Sequence, residues 1–228
     1  MIRGPHRRGL DIPLGLIKGK PLATIRKPPA HSVPDAALVV AWLERTGKKS
    51  VRDGMARYAI PSDKAFGVSV GDLKRYARTL GTSHALAADL WKTGWYEARM
   101  LAAFVDDPAR VTVAQMDRWC REFGNWAVCD HICFILFDKT PHAMGRVRAW
   151  ASRKPEIEKR AAFALLASVA LHDRQSPDAP FARTLPLIAR AARDDRNFVK
   201  KGVLWALRGV GGRGPALHAK AVALASTL

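Results

Sequence analysis

From Pro34 to the C-terminus, apolar residues recur three and four positions apart, the spacing that gathers them on one face of a helix. The pattern predicts helices over 35–46, 50–58, 70–80, 84–93, 95–105, 112–122, 125–137, 141–152, 156–171, 180–192, 197–209 and 215–226. No stretch alternates β-branched and polar residues as a half-buried strand does, so the chain is expected to be all-α. Four of the helical stretches are alike: YEARMLAAFVDD, WAVCDHICFILFD, KRAAFALLASVALHD and FVKKGVLWALRGV each open polar and close apolar. Their recurrence at roughly 30–40 residues is in the range of paired-helix repeats, which stack into a solenoid with a concave groove.

Residues 1–34 lack this periodicity and are rich in Gly, Pro and Arg, so they read as a disordered basic arm preceding one helical domain, 35–228. No apolar run reaches the ~20 residues of a membrane span, and the N-terminus lacks the apolar centre of a secretory signal. A cytoplasmic, nucleoid-associated protein is expected. The formal net charge of +18 changes the picture most, because a surplus this large attracts polyanions, nucleic acid foremost. Residues 1–36 carry seven Lys/Arg against two acids, so most of the surplus falls on the helical part. Basic residues recur near repeat starts, at Arg99, Lys159, Arg160, Lys200 and Lys201, where a groove could display them.

The segment Gly124–Phe137, GNWAVCDHICFILF, places an acid inside an apolar helix. Trp126 and Asp130 lie one turn apart on one face, with Val128, Ile132, Ile135 and Leu136 projecting toward the core. A buried carboxylate needs a partner, and the plainest reading is an ion pair with a nearby Arg or Lys. Cys120, Cys129 and Cys133 are better read as small buried thiols than as metal ligands, because no fourth donor is in sight. GVGGRG at 209–214 satisfies G-x-G-x-x-G, yet it follows a helix and precedes Pro215. It therefore reads as a helix terminator and turn rather than a dinucleotide loop.

GNWAVCD, EKRAAFALLA and NFVKKGVLWALR resemble the DNA alkylation repair family of HEAT-like DNA glycosylases, the AlkD type. GVSVGDLKRYARTLG followed by LWKTGWYEARMLAA resembles that family's N-terminal half, so the likeness runs over about 37–226. The resemblance implies a HEAT-like solenoid and a monofunctional glycosylase that needs no metal or cofactor. Its substrate would be duplex DNA bearing N3- or N7-alkylated purines, and its products the free base and an abasic site, without flipping the base into a pocket. It also implies Asp130 as the catalytic carboxylate, Trp126 and Trp205 as contacts to the lesion nucleotide, and Arg160 as a groove arginine. Arg99, Lys159, Lys200 and Lys201 would add backbone contacts, and a monomer would suffice. Ala127 departs from the pattern, since many relatives carry an acid there. Tyr58 is a loose match to the family's N-terminal lesion-contacting aromatic.

The chemistry suits these residue types. Alkylation makes the purine cationic and a good leaving group, and bond cleavage moves positive charge onto the sugar. A fixed carboxylate stabilises that charge and orients water, and indole faces favour a cationic ligand. Trp91, Trp95, Trp119 and Trp150 match no motif position and read as packing, the reading that also competes for Trp205. Two rival functions remain: a non-catalytic DNA-structure binder on the same fold, and a helical-repeat scaffold for protein or RNA.

Overall fold

The computed structural model describes residues 35–228; the basic arm expected over 1–34 lies outside the described residues. The helices are α1 (Ala36–Thr46), α2 (Lys49–Gly54), α3 (Val70–Leu80), α4 (His84–Lys92), α5 (Tyr96–Val105), α6 (Val113–Arg121) and α7 (Trp126–Ile135). They continue as α8 (Ala143–Trp150), α9 (Glu156–His172), α10 (Ala179–Ala182), α11 (Leu185–Ala191), α12 (Asn197–Gly211) and α13 (Pro215–Ala225). The described residues contain no strand.

Local chemistry starts five of these helices where the sequence predicts. Asp35, Ser69, Ser83, Thr112 and Asn125 each accept a hydrogen bond from a backbone N–H in the first turn of the helix they precede. Three predicted helices differ. The stretch 50–58 tightens after Gly54 into a 3₁₀ turn, Met55–Tyr58, closed by Ala59 in the left-handed region (φ 54°). The stretch 125–137 ends at Ile135, and a 3₁₀ turn then lets Phe137 pack beside Trp119 and Trp150. The stretch 180–192 is two helices, because Pro186 has no N–H to continue a helix and fits only in the first turn of a new one.

Helices α5, α7, α9 and α12 lie side by side in one layer, and α4, α6, α8 and α11 pack on them in a second. The first-layer helices open at Tyr96, Trp126, Glu156 and Asn197, which is the predicted repeat. Helix α9 is the centre of the stack, buried without interruption from Arg160 to Ala170. Its closest neighbour is α12, and glycine makes that approach possible. A Cβ at Gly209 would stand 3.2 Å from the Ala167 Cα, and one at Gly202 would stand 3.3 Å from the Arg160 Cγ. Helix α12 thus runs through Gly211, so the turn expected over 209–214 is confined to its last three residues.

The N-terminal helices are fastened by one buried acid. Glu97 on α5 is fully buried, and its carboxylate accepts the backbone N–H groups of Phe66, Gly67 and Val68 at 3.0, 2.7 and 3.2 Å. Gly67 (φ +87°) supplies a turn that other residues rarely adopt, and a Cβ there would meet the Lys48 carbonyl at 2.2 Å. In the second layer, Trp91 and Trp119 stack at 4.0 Å, and Trp95 stacks on Phe66 at 4.2 Å. With Trp150 fully buried, these four tryptophans are packing, as the sequence reading has them.

Candidate active site

The site begins with the way α7 starts. Gly124 turns the chain at φ +69°, and the Asn125 side chain accepts from the Ala127 and Val128 N–H groups at 3.0 Å. The helix therefore opens on Trp126. Val128, Cys129, Ile132 and Cys133 are buried, whereas Trp126, Asp130 and Phe134, spaced four apart, keep part of their surface open. Ile135, expected in the core, is only partly buried, and Leu136 is buried just beyond the helix end. All three cysteines are buried and free. The Cys133 thiol lies 3.7 Å from the Ala161 carbonyl, so these small groups let α7 approach α9.

Helix α9 brings Arg160 across to Asp130. Arg160 Nε and Nη2 donate to the two carboxylate oxygens of Asp130 at 2.8 and 2.6 Å, and Nη1 donates to the Phe198 carbonyl at 2.8 Å. This fork is the ion pair that the plain reading of a buried acid requires, and it gives the expected groove arginine a partner within the protein. The guanidinium is aimed at Asp130 and α12, and its side chain is only 7% exposed, against 20% for Asp130. Arg160 therefore positions the acid and closes the cleft wall instead of standing free for a phosphate. Burial pushes the Asp130 carboxyl above its usual range, an effect opposed but not cancelled by the Arg160 hydrogen bonds and charge. For Arg160, desolvation works against the charge, and Asp130 more than offsets it.

Trp126 makes two contacts through its indole. Its Nε1–H donates to the Tyr58 carbonyl at 2.8 Å, and the Arg160 guanidinium sits 6.0 Å from its ring centre. Around them opens a cleft of about 430 Å³, lined by Arg57, Tyr58, Ala59, Trp126, Arg160, Asn197, Phe198 and Lys201. Tyr58 is 66% exposed, held out by the 3₁₀ turn and the left-handed Ala59. No acidic side chain lines this cleft.

Of the other residues singled out from sequence, Lys201 reaches the cleft and the rest lie elsewhere. Trp205, one turn beyond Lys201 on α12, is partly buried and stacks on Phe134 with ring centres 6.4 Å apart. Lys200 is exposed and lies 3.2 Å from Asp195. Lys159 turns away to pair with Asp194 at 2.8 Å. Arg99 sits over the Trp91 ring at 4.8 Å and donates to the Glu122 carbonyl at 2.6 Å, so it belongs to the boundary between α4 and α5. Lys159 and Arg99, expected as contacts to a backbone in the groove, thus each hold a partner within the protein.

A family model described as DNA alkylation repair enzyme matches residues 39–227, nearly all of the described chain. The chain belongs to the DNA alkylation repair enzyme family. Its structure is also similar to a solved structure titled "A new family of proteins related to the HEAT-like repeat DNA glycosylases with affinity for branched DNA structures". That match has a TM-score of 0.76 and 21% identity, covering 85% of this chain and 83% of the other. The likeness establishes a HEAT-like helical-repeat fold. No curated protein matches the chain.

In this member of the DNA alkylation repair enzyme family, the cleft owes four of its walls to residues that sequence reasoning did not single out: Arg57, Ala59, Asn197 and Phe198. Arg57 and Ala59 had no visible signal, because the 3₁₀ turn that presents them is hidden inside an ordinary helical pattern. Phe198 did have one, lying in NFVKKGVLWALR one turn before Lys201. Its N–H is capped by Glu156 Oε1 at 2.9 Å, which ties the opening of α12 to the opening of α9.

Proposed function

We propose that the protein is a DNA glycosylase that hydrolyses the N-glycosidic bond of cationic N3- or N7-alkylated purines in duplex DNA, leaving an abasic site. The observation that carries this reading is Asp130: a carboxylate held in a fixed orientation by a two-point fork from Arg160, one helical turn from Trp126, with Trp126 and Arg160 both lining the cleft. Each carboxylate oxygen gives one lone-pair direction to Arg160 and retains another for a water or the sugar edge. Positive charge developing on the deoxyribose would meet that preorganised carboxylate, and Trp126 would offer its ring face to the cationic nucleotide. Lys201 and Arg57 supply charge for the flanking backbone. No base-sized pocket beyond the cleft is needed, in keeping with a lesion that stays in the helix.

One observation favours a second reading, a non-catalytic binder of DNA structure. Arg160 places a full positive charge against Asp130 and offsets the field that the acid would offer to a developing cation. Base release from methylated duplex DNA, with wild type and Asp130→Asn compared at equal concentration, decides between them. Release by the wild type, reduced at least about 10²-fold in the variant, is the expected result. No release from either protein, with tight duplex binding retained, would establish the second reading. Release that persists undiminished in Asp130→Asn would remove Asp130 from the chemistry.

A further inference from the structure

Outside the cleft, a second cavity of about 370 Å³ lies between α8 and α11, with the first turn of α9 at its floor. Its walls carry Arg148 and Ser152 from the end of α8, Arg190 from the last turn of α11, and Lys159 from α9. No carboxylate lines it. Lys159 pairs with Asp194 at 2.8 Å, and Asp194 is also bound by Arg196 at 2.6 Å. Arg148 and Arg190 are exposed and, among the described residues, form neither an ion pair nor a hydrogen bond. Two unpartnered guanidinium groups lining one cavity, with the Ser152 hydroxyl, form a donor set for a phosphodiester, for which arginine's fork is the best match.

The two cavities belong to different layers. The cleft is lined by α7, α9 and α12 and the turn at 55–58, whereas this cavity is built from the second-layer helices α8 and α11. Lys159 and Arg160 are consecutive on α9, so their side chains leave the helix about 100° apart, one serving each cavity. A straight duplex lying along the first layer is turned away from the second. We propose that Arg148, Ser152 and Arg190 form a second phosphate-binding site, which takes the backbone of a DNA segment other than the one in the cleft. The site gives the protein a preference for branched over linear DNA. This inference rests on the reading of the protein as a DNA binder.

The test compares wild type with the double variant Arg148→Glu/Arg190→Glu on a four-way junction and on a linear duplex of equal arm sequence, across a range of salt. Both positions are exposed and unpartnered, and circular dichroism verifies the fold of the variant. The expected result is a roughly tenfold or greater loss of junction affinity, with a salt dependence shallower by about 0.9 for each lost phosphate contact. Linear-duplex affinity and base release from methylated duplex stay within about twofold. Equal losses on the two DNAs, or no loss on either, would overturn the second site while leaving the cleft reading intact. A wild type that binds neither DNA would remove the DNA-binding reading itself, and this site with it.

Discussion

At the scale of single residues, Asp130 and His131 are neighbours with opposite consequences for pH. Asp130 is needed as a carboxylate in the proposed reaction, and burial raises its pKa above the ordinary carboxylate value. The acid limb of the pH–activity profile should therefore lie above the ordinary carboxylate range, with activity lost as protonation frees the carboxyl from Arg160. A profile of kcat/KM that stays flat down to the ordinary carboxylate range would contradict this. His131 points the other way along α7, bonded through Nε2 to the Met100 carbonyl at 3.0 Å and edge-on to Phe104. Desolvation lowers its pKa to about 4, so between that value and the unfolded histidine's 6.5 the unfolded chain binds more protons than the folded one. Stability should fall as pH drops through this window, by roughly 2–3 kcal/mol from this residue. His131→Gln should flatten the dependence in urea titrations at pH 7 and pH 4.5.

At the scale of elements, the sequence sets where helices begin and the tertiary fold sets how they end and touch. The caps at Asp35, Ser69, Ser83, Thr112 and Asn125 are local chemistry, and the predicted helix starts fall within a residue or so of the observed ones. The split of 180–192 was also written in the sequence, at Pro186. The early end of α7 was not, because it depends on where Trp119 and Trp150 sit around Phe137. Glu97 was equally silent: a glutamate in a helix gives no sign that it will anchor a loop some thirty residues earlier. Glu97→Ala strands three buried N–H groups and should cost roughly 3 kcal/mol or more in denaturant unfolding. Two helical glycines make a matched test of packing. A methyl group added at Gly145 would meet nothing within 4 Å, so Gly145→Ala should stabilise by about 0.5–1 kcal/mol. Gly209 faces the Ala167 backbone, so Gly209→Val must push α12 off α9 and should destabilise by about 1–3 kcal/mol.

At the scale of the whole molecule, the +18 charge should make duplex binding strongly salt-dependent. A protein making about six phosphate contacts loses on the order of 10³-fold in affinity between about 50 and 200 mM salt, whereas a protein-binding scaffold with no preference for DNA shows no such slope. Filter binding of an unmodified duplex measures this directly, and Lys201→Ala should lower the slope by about 0.9.

The sequence by itself determined the all-α class, the repeat, the helix starts and the membership of Trp126 and Asp130 in one helix face, because all of these follow from spacing within a single element. Tertiary structure decided what those side chains meet. Only the packing of α9 against α7 aims Arg160 at Asp130, and only the 3₁₀ turn at 55–58 brings the Tyr58 carbonyl to the Trp126 indole N–H. The same packing separates Lys159 from Arg160 and sends the two to different cavities. Partners lying 30 to 68 positions apart leave no periodic trace in the chain, so they exist only once the layers have closed.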